Sequence, residues 1–355
     1  MAAQLNVVTG ATGLLGSHVV EQLVARGERV RALVRPSSDV AFLRRLGVEL
    51  AVGDLQTPAT LSGAFEGAKV VYHCAARVGD WGAWEQFRTE VVESTRNVLA
   101  ACRAAHVGRV LHVSSVAVYG HPRMPASGIG EDHPLGQRLR LWDHYCRAKI
   151  QAERLARAYG PLVTVVRPTW VFGPRDRNTM PRLVQALRGG WVSLLGSGEN
   201  LLNIVHACDV AAGAIRAANH PDAAGQVYHL CSEGEVTQRQ FLDALADGLG
   251  LPRVSRRVPY LVAFWGGFLG EVIARVCRWG RAPFVSRYSV GLMGRPARFR
   301  IDKARLQLEW QPRVPVLDGL RETLDWLRVQ QPPGLSASSE LSAKATAHVE
   351  ANWES

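Results

Sequence analysis

The chain has 355 residues, 47% hydrophobic and 21% charged, which is enough to bury a large core in two lobes and is ordinary for a soluble globular protein. Six cysteines are scattered without Cys-x-x-Cys spacing, which argues against a disulfide frame or a zinc site, so reduced core thiols and no bound metal are expected. The formal net charge of +11 is concentrated between Arg253 and Arg313, where 13 arginines and lysines stand against three acids; this favours anionic substrates or a membrane surface, while no nucleic-acid signature accompanies it. The first apolar run is preceded by no charged n-region and apolar h-region, so a signal peptide is not expected. The expected address is the cytoplasm, with a peripheral membrane position left open.

The run Leu5 to Thr9 reads as a strand, Gly10-Ala11-Thr12-Gly13-Leu14-Leu15-Gly16 as a glycine turn, and Ser17 to Arg26 as a helix. In that context Gly10 permits the turn, Gly13 lets backbone approach a pyrophosphate, and Gly16 lets helix and strand pack closely, so a dinucleotide is the expected ligand. A second strand, Arg29 to Val34, ends in Arg35-Pro36-Ser37-Ser38 with no acid to hold a ribose 2′-hydroxyl. Arg35 offers a donor fork for a 2′-phosphate, so NADP(H) is expected in preference to NAD(H).

Further strands are expected over Val48 to Val52, Val70 to Ala76, Arg109 to Ser115 and Leu162 to Arg167, with a long helix from Glu90 to His106. Asp54 could accept from an adenine amine, Ala75 and Ala76 let a cofactor lie against backbone, and His73 reads as a strand residue. Ser115 falls at the carboxyl end of its strand, where ligand crevices of open parallel sheets lie. Tyr145 and Lys149 stand four apart on one helix face, and an ammonium beside a phenol lowers the phenol pKa. Alternating strands and helices imply an α/β fold, a doubly wound parallel Rossmann sheet with a smaller C-terminal substrate lobe.

These pieces together resemble the extended short-chain dehydrogenase/reductase superfamily of NAD-dependent epimerase/dehydratase type: the glycine turn, Gly53-Asp54-Leu55, Cys74-Ala75-Ala76, Ser114-Ser115 with Val118-Tyr119-Gly120, Tyr145 with Lys149, and Arg167-Pro168 with Gly173-Pro174. The resemblance implies that Ser115 holds the substrate oxygen, Tyr145 exchanges the proton, and Lys149 lowers the tyrosine pKa and holds the nicotinamide ribose. It also implies cofactor contacts from Gly10, Thr12, Gly13, Leu14, Leu15, Gly16, Asp54, Leu55, Ala75, Ala76, Pro168 and Thr169. Two departures stand out: Val91 where the family usually has asparagine, and Ala148 where a serine often precedes the lysine.

The expected division is a dinucleotide-binding domain over 1–175, a substrate lobe over 176–330 with part near 203–220 packing back on the first, and a disordered tail over 331–355. Leu202-Asn203 replace the charged pair that nucleotide-sugar enzymes of the superfamily carry after a Gly-x-Gly turn. The uncharged stretch Val258 to Gly270, continuing to Trp279, is too short to span a bilayer; it suits an apolar pocket cap, a membrane interface (258–279) or a core or homodimer helix. With Phe299-Arg300-Ile301-Asp302-Lys303-Ala304 and Trp310-Gln311-Pro312-Arg313-Val314, it resembles the 3β-hydroxysteroid dehydrogenase-like branch. A reductase or dehydrogenase of a small hydrophobic alcohol or ketone, sterol-like, isoprenoid or β-keto acid, is therefore the leading expectation. A nucleotide-sugar epimerase or dehydratase and a non-catalytic NADP-binding module are the alternatives.

Overall fold

A computed structural model of the chain describes residues 4–330 apart from 281, 284 and 296; the predicted tail lies outside them. Seven strands form one all-parallel sheet in the order Val227–Leu230, Val163–Pro168, Arg109–Val113, Val70–His73, Leu5–Thr9, Arg29–Val34 and Glu49–Val52. Alternate residues of each strand enter opposite cores. Val8, Val34, Tyr72, Leu111 and Val166 pack on one face, whereas Val7, Leu33, Val71, Val110 and Val165 pack on the other. Both faces are covered, which is why these strands read as continuous apolar runs.

Helices Leu14–Ala25 and Ala207–Asn219 pack together on the first face, and Ser94–Ala104 with His144–Ala158 flank the second. The chain runs outward from the central strand Leu5–Thr9 in one direction, then returns to its other side at Val70–His73. Strand order thus reverses between these two, and a crevice opens at their carboxyl ends. Residues 204–230 return to this unit: helix Ala207–Asn219 packs against the sheet and Val227–Leu230 adds its edge strand.

The expected single helix over Glu90 to His106 is instead two pieces, the end of a wider π-turn over Arg88–Glu93 and the helix Ser94–Ala104, with a short helix Trp84–Phe87 ahead of them. Local hydroxyls account for the widening. Ser94 Oγ donates to the Thr89 carbonyl at 3.1 Å, five residues back, and Thr95 Oγ1 to that of Val91 at 2.7 Å.

The remaining residues form a second core around Phe172, Phe241, Leu242 and Leu245, built from helices Thr179–Arg188, Gln238–Leu249 and Val316–Gln330. Beside it, helices Tyr260–Val276 and Arg287–Gly294 pack as a pair. All six cysteines are free thiols.

Candidate active site

A cleft of about 990 Å³ lies over the strand reversal, and every residue singled out from the sequence as catalytic or cofactor-binding lines it. A separate shallow hollow of about 570 Å³ beside Arg157 and Gly225 contains none of them. At one end of the cleft the glycine turn is packed too closely for side chains. An added Cβ would come within 2.7 Å of Ala75 N at Gly10 and 2.2 Å of the Gly10 carbonyl at Gly16, and Gly10 sits at φ +67°. Helix Leu14–Ala25 starts at Gly13 with no side-chain cap, leaving its first amides, Leu14, Leu15 and Gly16, for a ligand. An uncapped helix N-terminus behind a bare backbone fits a pyrophosphate.

Thr12 flanks this turn. Asp54 and Leu55 line the cleft beyond Gly53, where an added Cβ would meet the Thr60 carbonyl at 2.8 Å. Asp54 is half-buried, one carboxylate oxygen accepting from Gln56 N at 2.9 Å. Arg35 is exposed at the end of its strand, its backbone N bonded to Ser38 Oγ at 3.1 Å. Ala75 and Ala76 form the cleft wall next to the turn, and Pro168 and Thr169 close it from the strand Val163–Pro168. His73 proves to be a structural strand residue. Its ring joins Thr9 Oγ1 at 2.8 Å to Thr95 Oγ1 at 3.1 Å, and burial pushes its pKa down to about 3, so it stays neutral.

Ser115 lies two residues beyond the strand Arg109–Val113, in extended backbone at the start of the turn Val116–Tyr119, and accepts from Ala117 N at 3.2 Å. Tyr145 projects from helix His144–Ala158 into the cleft that Ser115 also lines; burial pushes the phenol up to about 12, and the Ser115 hydroxyl acts in the opposite direction. The expected lowering of the tyrosine pKa by Lys149 is not what the structure has. Lys149 Nζ instead donates to the Val113 carbonyl at 3.0 Å, and its own pKa is pushed down to about 8 by burial, with Glu153 working the other way. Desolvation dominates the partly buried phenol, and Lys149 does not oppose it, its ammonium being turned toward the sheet.

Sequence reasoning missed what lies beneath. Glu153, one further helical step along the 145–149 face, is fully buried and ion-paired with Arg167, whose Nε reaches it at 3.0 Å. Ser114 Oγ donates to the same carboxylate at 2.6 Å, and Arg167 Nη1 bonds Tyr119 OH at 2.5 Å. This cluster ties the tyrosine helix to the strand leading to Ser115 and to the strand carrying Pro168. The signal was present as a third polar residue at spacing four.

The cleft lining also includes Met124, Leu292 and Phe299 together with Arg123, Arg138 and Arg295. Tyr288, also unanticipated, stands edge-on to Tyr145 with ring centroids 6.1 Å apart. At the Leu202-Asn203 position no charged pair is offered. Leu202 is buried, and Asn203 donates to the Ala297 carbonyl at 3.0 Å.

Residues 6–231 match the NAD dependent epimerase/dehydratase family. The chain is 35% identical, over 93% of its length and 97% of the other, to a 4-hydroxy-2-methyl-3-oxo-4-farnesyl-3,4-dihydroquinoline-1-oxide ketoreductase of Stigmatella aurantiaca. It is 31% identical over 89% and 97% to a 2-alkyl-3-oxoalkanoate reductase of Stenotrophomonas maltophilia. A sterol-4-alpha-carboxylate 3-dehydrogenase, decarboxylating, of Mus musculus is 29% identical over 89% of both chains. With the glycine cradle and the Ser115, Tyr145 and Lys149 cluster on one cleft, the chain belongs to the NAD-dependent epimerase/dehydratase family of the extended short-chain dehydrogenase/reductase superfamily, and is an NAD(P)-dependent oxidoreductase.

Proposed function

We propose that the protein interconverts a ketone and its secondary alcohol on a small hydrophobic substrate, with NADP(H) as the preferred partner. The observation that carries this reading is that Ser115 and Tyr145 line the same cleft as the glycine cradle, with Met124, Leu292 and Phe299 also in its lining. The nicotinamide, when bound, supplies or takes the hydride. Tyr145 is a protonated phenol at neutral pH, since burial holds it near 12, and so is set to give its proton to the oxygen of a ketone under reduction. Ser115 adds a second hydrogen bond to that oxygen, strongest as negative charge develops there. Lys149 keeps a positive charge behind the tyrosine while it remains protonated.

The relatives support the substrate class, because two of them are named for reduction of 3-oxo compounds carrying a farnesyl or alkyl group. Arg35, with Ser38 bonded beneath it, supports NADP(H) through a fork that accepts a phosphate. The nucleotide-sugar reading draws on the family match, but the neutral Leu202-Asn203 pair weighs against it.

The test is NADPH oxidation, followed by absorbance, with a 2-alkyl-3-oxoalkanoate, a 3-oxosteroid and a nucleotide sugar. Stoichiometric oxidation with an apolar ketone is expected. Turnover of the nucleotide sugar with no net change in absorbance would establish the epimerase reading instead. Tyr145→Phe should bind NADPH within about threefold of the wild type yet lose at least about a thousandfold in turnover. Arg35→Ala should raise KM for NADPH about tenfold or more and leave that for NADH nearly unchanged; an unaltered preference removes Arg35 from the site.

A further inference from the structure

Helix Tyr260–Val276 is apolar on both sides, with Phe264 and Phe268 packing inward against Arg140 and Trp142, and it leaves a second apolar strip at the surface. Gly267, Glu271 and Ala274 are buried, whereas Leu261, Trp265, Leu269, Ile273 and Val276 are 44% to 77% exposed. At about 100° per residue the exposed five occupy one arc of about 120°, and the buried three lie on the opposite side. The orientation is pinned by polar contacts. The Glu271 carboxylate accepts from Arg287 N at 2.7 Å, Arg287 Nη2 at 2.7 Å and Arg287 Nε at 2.9 Å. A Cβ added at Gly267 would come within 3.1 Å of the Ser286 backbone, so this side seats closely on helix Arg287–Gly294. Rolling the outer strip inward would break that ion pair and leave a buried carboxylate unpaired.

The apolar strip is therefore left outside, extended by Val262 at 61% and Trp279 at 52% exposure. Arginines frame it at both ends. Arg256 and Arg257 precede the helix and Arg278 follows it, all exposed and none paired with a carboxylate among the described residues.

We propose that this strip seats on an anionic lipid surface, the helix lying in the plane of the interface with Trp265 and Leu269 at the acyl boundary and the three arginines on lipid phosphates. Among the described residues no helix is long and apolar enough to cross a membrane, so the contact is peripheral. A second copy of this chain is the poorer occupant. The helix is about 25 Å long, so the strip offers about 250 Å², well below the roughly 800 Å² per partner of a stable interface. A two-fold contact through it would also set the basic segment of one copy against that of the other, which like charge opposes and anionic lipid rewards. The packed partner helix Arg287–Gly294 carries Tyr288, Gly291 and Leu292 into the cleft, so the lipid-facing element lies one helix from Tyr145. On the ketoreductase reading, a hydrophobic ketone dissolved in the leaflet then reaches the cleft beside this pair.

Flotation of the full chain with vesicles of phosphatidylcholine containing about one quarter phosphatidylglycerol, and with pure phosphatidylcholine vesicles, tests the docking. The wild type is expected to float with the anionic vesicles and much less with the neutral ones. Trp265→Ser/Leu269→Ser should lower the floated fraction about tenfold, and Arg256→Ala/Arg257→Ala/Arg278→Ala should remove the preference for anionic lipid. Both variants should keep the wild-type circular dichroism and oxidise NADPH with a water-soluble ketone at the wild-type rate. Absence of flotation in the wild type, or flotation unchanged in Trp265→Ser/Leu269→Ser, overturns the proposal. A dimer in solution that the same two substitutions abolish, without lipid binding, overturns it in favour of a second copy. If flotation behaves as expected while no form turns over any ketone, the docking stands and the ketoreductase reading falls.

Discussion

Tyr145 and Lys149 show how burial rewrites a pair whose spacing suggests a simple charge interaction. The phenol goes up to about 12 and the ammonium down to about 8, each shifted first by desolvation. At neutral pH both groups are protonated, which suits reduction of a ketone. Lys149 is charged below about pH 8 and neutral above it, so kcat/KM for ketone reduction should fall on the alkaline side of about pH 8. A guanidinium stays charged through that range. Lys149→Arg, slower though it is expected to be, should therefore shift the alkaline limb upward by more than about one pH unit. A pH–rate profile with the limb in place in the variant would assign it to another group.

At the scale of elements, the glycine turn and the helix it opens are specified by crowding, and the outer helix Tyr260–Val276 by what it buries. Gly16→Ala puts a methyl within 2.2 Å of the Gly10 carbonyl, so helix and strand must separate just where the uncapped amides of the turn lie. NADPH affinity, read by fluorescence titration, should drop about tenfold or more; retained affinity would show that the turn can yield. Gly266→Ala is expected to act in the opposite direction. Gly266 lies inside a helix with nothing within 4 Å of an added Cβ, so the substitution should raise thermal stability by about 0.5–1 kcal/mol. A lowered melting temperature would mean that the helix is not formed there.

Across the whole molecule, stability in acid is set by imidazoles kept neutral inside. Burial pushes His18 and His73 down to about 3, and His206 and His229 down to about 4. An unfolded chain takes up these protons near pH 6.5 and the folded chain does not, so this stability is present above about 6.5 and is lost as pH falls toward 4. Each such histidine contributes a slope of up to about 1.4 kcal/mol per pH unit in that interval. Asp80, Asp176 and Asp209, raised by burial, offset a part of it at the acid end. Melting temperature should accordingly decline between pH 6.5 and 4; a flat profile would mean that these rings are protonated in the fold.

Periodicity and punctuation in the sequence determined the parallel sheet and the glycine turn, and, with the family resemblance, picked out Ser115, Tyr145 and Lys149, which the fold brings to one cleft. Each rests on local facts: apolar runs buried on both faces, glycines where no Cβ fits, and polar residues one helical turn apart. Tertiary structure alone decided the rest, because burial and pairing join residues far apart in the chain. Glu153 finds Arg167, Tyr288 reaches Tyr145 from more than a hundred residues away, and Lys149 turns to Val113. The stretch Val258 to Trp279 makes the distinction clearest. Its composition left a pocket cap, a core helix and a membrane face open, and the pairing of Glu271 with Arg287 determined which side of the helix points outward.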